Sequence, residues 1–181
     1  MKKFFFLISI IFSFFFLKNV QSANTEVVLE CPGLKLFNKW CAGLHNENKD
    51  KLCIMISVPS SKKGEPPYKS RGEVYITIYQ QLAENNDGTI YITSGYNYKN
   101  NSMVKIKIDN NKEHNFNVLE QDTAFSDDES TDKKLILEMK KGNKMKVVGF
   151  STRGTKTTDV YSLAGFSAAY KHMSGLCEVK N

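Results

Sequence analysis

Histidine is scarce in this chain, three in 181 residues, and no His-Glu-x-x-His run occurs, so a zinc-hydrolase centre has no basis here. None of the four cysteines forms a Cys-x-x-Cys pair, which removes the usual ligand and nucleophile spacing of zinc ribbons and thioredoxin-like redox sites. The acids of "SDDESTD" (126–132) lack the alternating Asp/Asn-and-Gly spacing of a calcium loop. No metal and no cofactor are therefore expected. The lysines are scattered among acids rather than gathered in one basic run, so nucleic acid is not an expected partner. Only one apolar run is long, residues 4–17, and at fourteen residues it falls short of the roughly 20 a membrane span needs.

That run follows Lys2 and Lys3 and precedes Val20 and Ser22, small residues placed for cleavage after Ser22. The pattern predicts a secretory signal peptide over residues 1–22, with an uncleaved anchor as the alternative. Cys31 lies too far beyond the apolar run, and just after Glu30, for a lipid anchor. Removing residues 1–22 takes away seven of the twelve phenylalanines, lowers the net charge from +6 to +3 and leaves 159 residues. That length suits one domain, with an N-terminal extension over 23–35 and a β-rich domain over 36–181. No transmembrane segment remains after cleavage, and so mild a positive charge permits, without requiring, contact with an anionic envelope surface. The expected location is the periplasm, the outer surface or the medium.

Four exported cysteines in an oxidising compartment suggest two disulfides. Three pairings are open to them; the one favoured joins Cys53 to Cys177 and Cys31 to Cys41. The first would close about 124 residues and contribute on the order of 4–5 kcal/mol by constraining the unfolded chain.

"EVVLEC" (26–31), "KLCIMISV" (51–58) and "EVYITIYQQL" (73–82) read as strands, the last placing Val74, Ile76, Ile78 and Gln80 on one face. Trp40, between the first two, is expected in the core. Residues 59–72, with paired prolines and two glycines, read as a loop. "ENNDG" (84–88) signals a hairpin, and strands follow at "TIYITSGYNY", "MVKIKID" and "NNKEHNFNVLE" (110–120). In "MVKIKID", Met103, Val104, Ile106 and Ile108 oppose a solvated Lys105 and Lys107. Acids early and lysines late predict a short helix near 130–141, with Gly142 as a left-handed end residue and, if the helix starts earlier, Ser126 and Glu129 as a capping box. "KMKVVGFS", a polar tip and "TDVYSL" form a hairpin, and Leu163, Phe166, Ala169, Tyr170 and Met173 recur at helical spacing, near 164–174. The expected fold is mainly β: one antiparallel β-sandwich or barrel-like domain with these two helices.

Two patterns point toward catalysis. "RGTKTT" has one glycine and precedes a strand, whereas a phosphate loop needs Gly-x-x-x-x-Gly-Lys-Ser/Thr entering a helix. Gly165-x-Ser167-x-Ala169 approximates a nucleophile elbow, but Ser167 is expected inside the helix, with His172 at a poor angle for a base. No catalytic residue is assigned. Candidate partner contacts are Tyr68, Lys69 and Arg71 in the proline loop, Tyr96 and Tyr98 after Gly95, and Arg153 with Lys156 at the hairpin tip. For Arg71 the competing reading is a tie to a carboxylate inside the fold.

"KLCIMISVP", Arg71, "VYITI", "ITSGY", "MKKGN" and above all "STRGTKTTDVYSLAGFSAAYKHMSGLC" resemble the invasion-associated locus B family of exported Gram-negative proteins, across residues 36–177. In the branch it resembles, one cysteine after the first strands and one at the C-terminal helix are usual, matching Cys53 and Cys177; Cys31 and Cys41 are an addition. The resemblance implies a β-rich domain in the periplasm or at the cell surface, tied in some pathogens to host-cell invasion or envelope integrity, with no agreed enzymatic activity. The expected function is thus non-enzymatic binding of another envelope component or a host surface. The alternatives are a periplasmic serine hydrolase using Ser167 and an envelope-stress structural protein without a dedicated ligand.

Overall fold

The computed structural model describes residues 30–47, 50–81 and 88–177. The expected signal peptide, residues 26–29 of the first expected strand and residues 84–87 of the "ENNDG" turn lie outside them. Glu30 and Cys31 carry no strand structure.

The chain forms two antiparallel sheets that share one core. The larger has the spatial order β1 (Lys35–Phe37), β2 (Trp40–Glu47), β3 (Asp50–Ser57), β5 (Tyr75–Gln81), β6 (Thr89–Thr93), β10 (Thr123–Phe125) and β9 (Val118–Glu120). The smaller runs β4 (Ser61–Glu65), β12 (Lys156–Ser162), β11 (Lys144–Phe150), β7 (Val104–Ile108) and β8 (Glu113–Phe116). Among the described residues each sheet keeps two open edges, so the fold is sandwich-like and the barrel alternative is set aside.

Period-two patterning explains which face of each strand is buried. In β7, Val104, Ile106 and Ile108 are fully buried while Lys105 is exposed. These meet Ile76, Ile78, Ile92, Met145, Val147 and Tyr161 in a single core. Trp40 is fully buried there, its indole N–H donating to the Ser162 carbonyl at 3.0 Å. Met103 departs from the pattern: it precedes β7 and is 48% exposed.

Three strand readings change. The 36–44 stretch forms the β1–β2 hairpin, turning at Asn38 in the left-handed region (φ 58°). Residues 61–65, read as loop, form the edge strand β4, which tolerates the following prolines because its outer edge needs no donors. Residues 110–120 divide at Asn117, β8 pairing in the smaller sheet and β9 in the larger.

Helix α1 spans Glu129–Met139. Its N-cap is Asp128, whose carboxylate accepts from Ser130 N–H at 2.9 Å, while Ser126 Oγ accepts from Asp128 N–H at 3.0 Å. The Ser126–Glu129 capping box is therefore not formed; a carboxylate serves the positive helix end well. Gly142 is not left-handed either. Its role is space, since a Cβ there would strike the Ile108 side chain.

Helix α2 spans Phe166–Cys177 and lies on β1, β2, β3 and β5, burying Phe166, Ala169, Tyr170 and Met173. Gly165 precedes it at φ 90°, where a Cβ would run into the Phe37 carbonyl. Cys53 is joined to Cys177 and Cys31 to Cys41, two disulfide pairs.

Candidate functional site

Arg71 is the centre of the polar structure in the interior. Strand alternation turns Asp159 inward from β12, and the loop after β4 delivers Arg71 to it. Both guanidinium NH2 groups donate to the carboxylate at 2.6 Å, and Nε donates to the Ser94 carbonyl at 2.6 Å. Each side chain is only 3% exposed. The rings of Tyr68 and Tyr96 lie 5.4 and 5.0 Å from the guanidinium carbon. Burial alone would weaken the proton on Arg71, but the Asp159 hydrogen bonds and charge outweigh it, so its pKa is raised and it stays cationic. Burial pushes the Asp159 carboxyl up, and the Arg71 hydrogen bonds and charge oppose that shift.

A tyrosine cluster extends inward from this pair. The Tyr96 and Thr157 hydroxyls are hydrogen-bonded at 2.5 Å, and Tyr96 stands edge-on to buried Tyr98 at 5.3 Å. Burial raises all three phenols of Tyr96, Tyr98 and Tyr161, and the Tyr161 hydroxyl, wholly enclosed, has no hydrogen-bond partner among the described residues. Gly149 makes room, since a Cβ there would collide with the Tyr98 ring and Tyr96 hydroxyl.

Outside the pair is an open cleft of about 350 Å³, lined by Gly72, Glu73, Tyr75, Thr93, Gly95, Tyr96, Asn97 and Asp122. Its wall is two crossing backbones. Gly72 N–H donates to the Gly95 carbonyl at 2.9 Å, and Gly95, at φ 71°, has no space for a Cβ against Gly72. Arg71 therefore clamps from below the two segments that form the cleft. Burial raises the Tyr75 phenol, opposed by a Thr93 hydrogen bond, and the charges of Asp122 and Glu73 raise it further. The mouth is thus aromatic and acidic, able to contact a cationic or hydroxylated group.

The structure gathers Tyr68, Arg71, Tyr96 and Tyr98 into one cluster but spends Arg71 on internal bonds, the reading that competed with partner contact. Arg153 and Lys156 stand apart. Arg153 is exposed at the β11–β12 tip beside Gly154 (φ 84°), and Lys156 turns to the opposite face, 3.9 Å from Glu65. Lys69 is exposed in the loop. Ser167 lies in the first turn of α2 rather than deeper inside it, exposed, and its hydroxyl donates to the Lys140 carbonyl at 2.9 Å. His172 packs on Phe37 and His114 bonds Glu138 at 3.0 Å. Sequence reading overlooked Asp159: the alternation of β12 places it on one face with Thr157 and Tyr161, and only the packing of that face inward implies a buried cationic partner.

A two-sheet antiparallel sandwich, closed by a cystine from its third strand to its C-terminal helix and locked by an internal Arg–Asp pair, defines the class. The chain belongs to the Invasion associated locus B (IalB) family, whose model matches residues 38–174. This envelope-associated family is not a known enzyme family. No curated protein matches the chain. Among solved structures, invasion associated protein B from Bartonella henselae is similar at 16% identity and TM-score 0.54, over 79% of this chain and 96% of that one, a likeness of fold. Among the described residues, no helix is long and apolar enough to cross a membrane, and no cluster of His, Cys, Asp and Glu could hold a metal.

Proposed function

We propose that this is an exported, non-enzymatic binding module of the cell envelope, placed in the periplasm or on the surface, whose partner is another envelope component or a host-surface protein. The observation that carries this reading is the cleft: Glu73, Tyr75, Asn97 and Asp122 surround an opening whose walls are clamped by a buried ion pair. A buried charge pair is a poor source of net stability, and its best-attested use is to specify one arrangement, here the crossing of the Arg71 loop over the Gly95 segment. Family membership supports the envelope setting, and the two cystines suit an oxidising compartment. On this reading residues 23–35 are the N-terminal extension, with Cys31 tied to Cys41, and residues 36–181 the binding domain.

The test is a photo-crosslinking residue at Asn97, with the same label at exposed Lys171 as control. One envelope or host component is expected to crosslink from Asn97 only, and to be lost in Glu73→Lys/Asp122→Lys. The same products from both positions would overturn the reading.

A further inference from the structure

The outer face of the smaller sheet is separate from the cleft. Strict alternation in β11 and β12 turns Lys144, Lys146 and Lys156 away from the core, and the pairings set Lys63 opposite Thr158, Lys105 opposite Val148 and Lys107 opposite Lys146. Six lysines therefore share one face.

Two acids join them, at the two sides of the sheet: Glu113 lies 2.8 Å from Lys105, and Glu65 3.9 Å from Lys156. Lys63, Lys144 and Lys146 have no carboxylate partner among the described residues, while Lys107 stands opposite Glu113 on the other side of its strand. The face holds four more positive than negative side chains, more than the +3 of residues 23–181 together. The positive charge is consequently directional, and the rest of the molecule is slightly acidic.

Lys107 and Lys146 stand directly across from one another, a like-charge placement that Glu113, opposite Lys107 on its other side, offsets in part. Between the lysines, Val148, Phe150 and Val160 remain half-buried, with one side open to solvent. A flat cationic array around an apolar stripe complements a surface of negative headgroups over an apolar interior.

We propose that this sheet face lies on a membrane whose lipid headgroups carry anionic phosphate. It does not rest on the cleft reading, because the residues of the two surfaces do not overlap.

The experiment is co-sedimentation of the processed protein with phosphatidylglycerol–phosphatidylcholine vesicles and with phosphatidylcholine vesicles, at low and high salt. Binding is expected to the anionic vesicles alone and to fall with salt. Each unit of charge on the face accounts for about five-fold in affinity, so Lys146→Glu is expected to weaken binding roughly 25-fold. The same substitution converts a like-charge pair into an opposite-charge pair, so its melting temperature should rise, which separates lost binding from lost folding. The cleft variant Glu73→Lys/Asp122→Lys should bind vesicles at least as well as the parent. No vesicle binding, equal binding to neutral vesicles, or unchanged binding by Lys146→Glu would each overturn the proposal. So would capture by a soluble sulfated polysaccharide without any vesicle binding.

Discussion

Replacing Asp132 by Asn tests whether one buried carboxyl sets the pH dependence of folding. Asp132 faces inward from the first turn of α1, is 3% exposed, and its Oδ1 has no hydrogen-bond partner among the described residues. Burial, with smaller contributions from the nearby charges of Asp128 and Glu129, pushes its pKa up to about 7, against a backbone hydrogen bond from Ile90 that pulls it down. The ordinary value, which the unfolded chain adopts, is 3.8. Below about pH 4 both states are protonated, and the group has no differential effect. Between about pH 4 and 7 the unfolded chain releases a proton that the folded chain keeps, so stability falls as pH rises, by about 1.4 kcal/mol per pH unit. Above pH 7 the loss levels off at about 4 kcal/mol. Asn cannot ionise and can still accept from Ile90, though its amide is left unpartnered at a cost of about 1–3 kcal/mol. Urea unfolding of parent and variant from pH 4.5 to 8 should therefore show their difference shifting by several kcal/mol in the variant's favour. A flat difference across that range, or one moving the other way, would refute the reasoning.

Breaking the interior ion pair should be more damaging than removing it. Arg71→Met or Asp159→Leu alone is expected to destabilise by about 3–5 kcal/mol, whereas Arg71→Met/Asp159→Leu should recover much of that loss, measured by urea denaturation; additive costs would contradict the pairing. Replacing Cys53 and Cys177 by Ser opens a loop of 124 residues and should cost about 5 kcal/mol, against about 3 kcal/mol for Cys31 and Cys41 with a separation of 10. Equal losses, or non-reducing peptide maps that join other cysteines, would contradict this ranking.

Asp159 shows where sequence reading stopped short. In "TKTTDVYSL" the alternation of β12 is visible, but which face is buried depends on β4 and β11 on either side. Arg71 is 88 residues away in sequence, so neither partner announces the other. The loop at 59–72 was mistaken in part for a related reason: edge pairing can recruit polar residues such as those of β4, which carry no hydrophobic alternation. Likewise the capping box at Ser126 failed because local spacing offered two acceptors and the helix began at the later one, Asp128.

Local chemistry by itself determined the β-rich class, the two helices, the burial of Trp40 and the inward faces of β5 and β7, because side-chain alternation and helical spacing act within a few residues. It also pointed to the family. Only the tertiary structure decided that two sheets remain open rather than closing into a barrel, that Arg71 is an internal clamp, and that Glu73, Tyr75 and Asp122 border one cleft. Those outcomes depend on which distant strands pair and in what register, a choice made by the packing of the whole core rather than by any one segment.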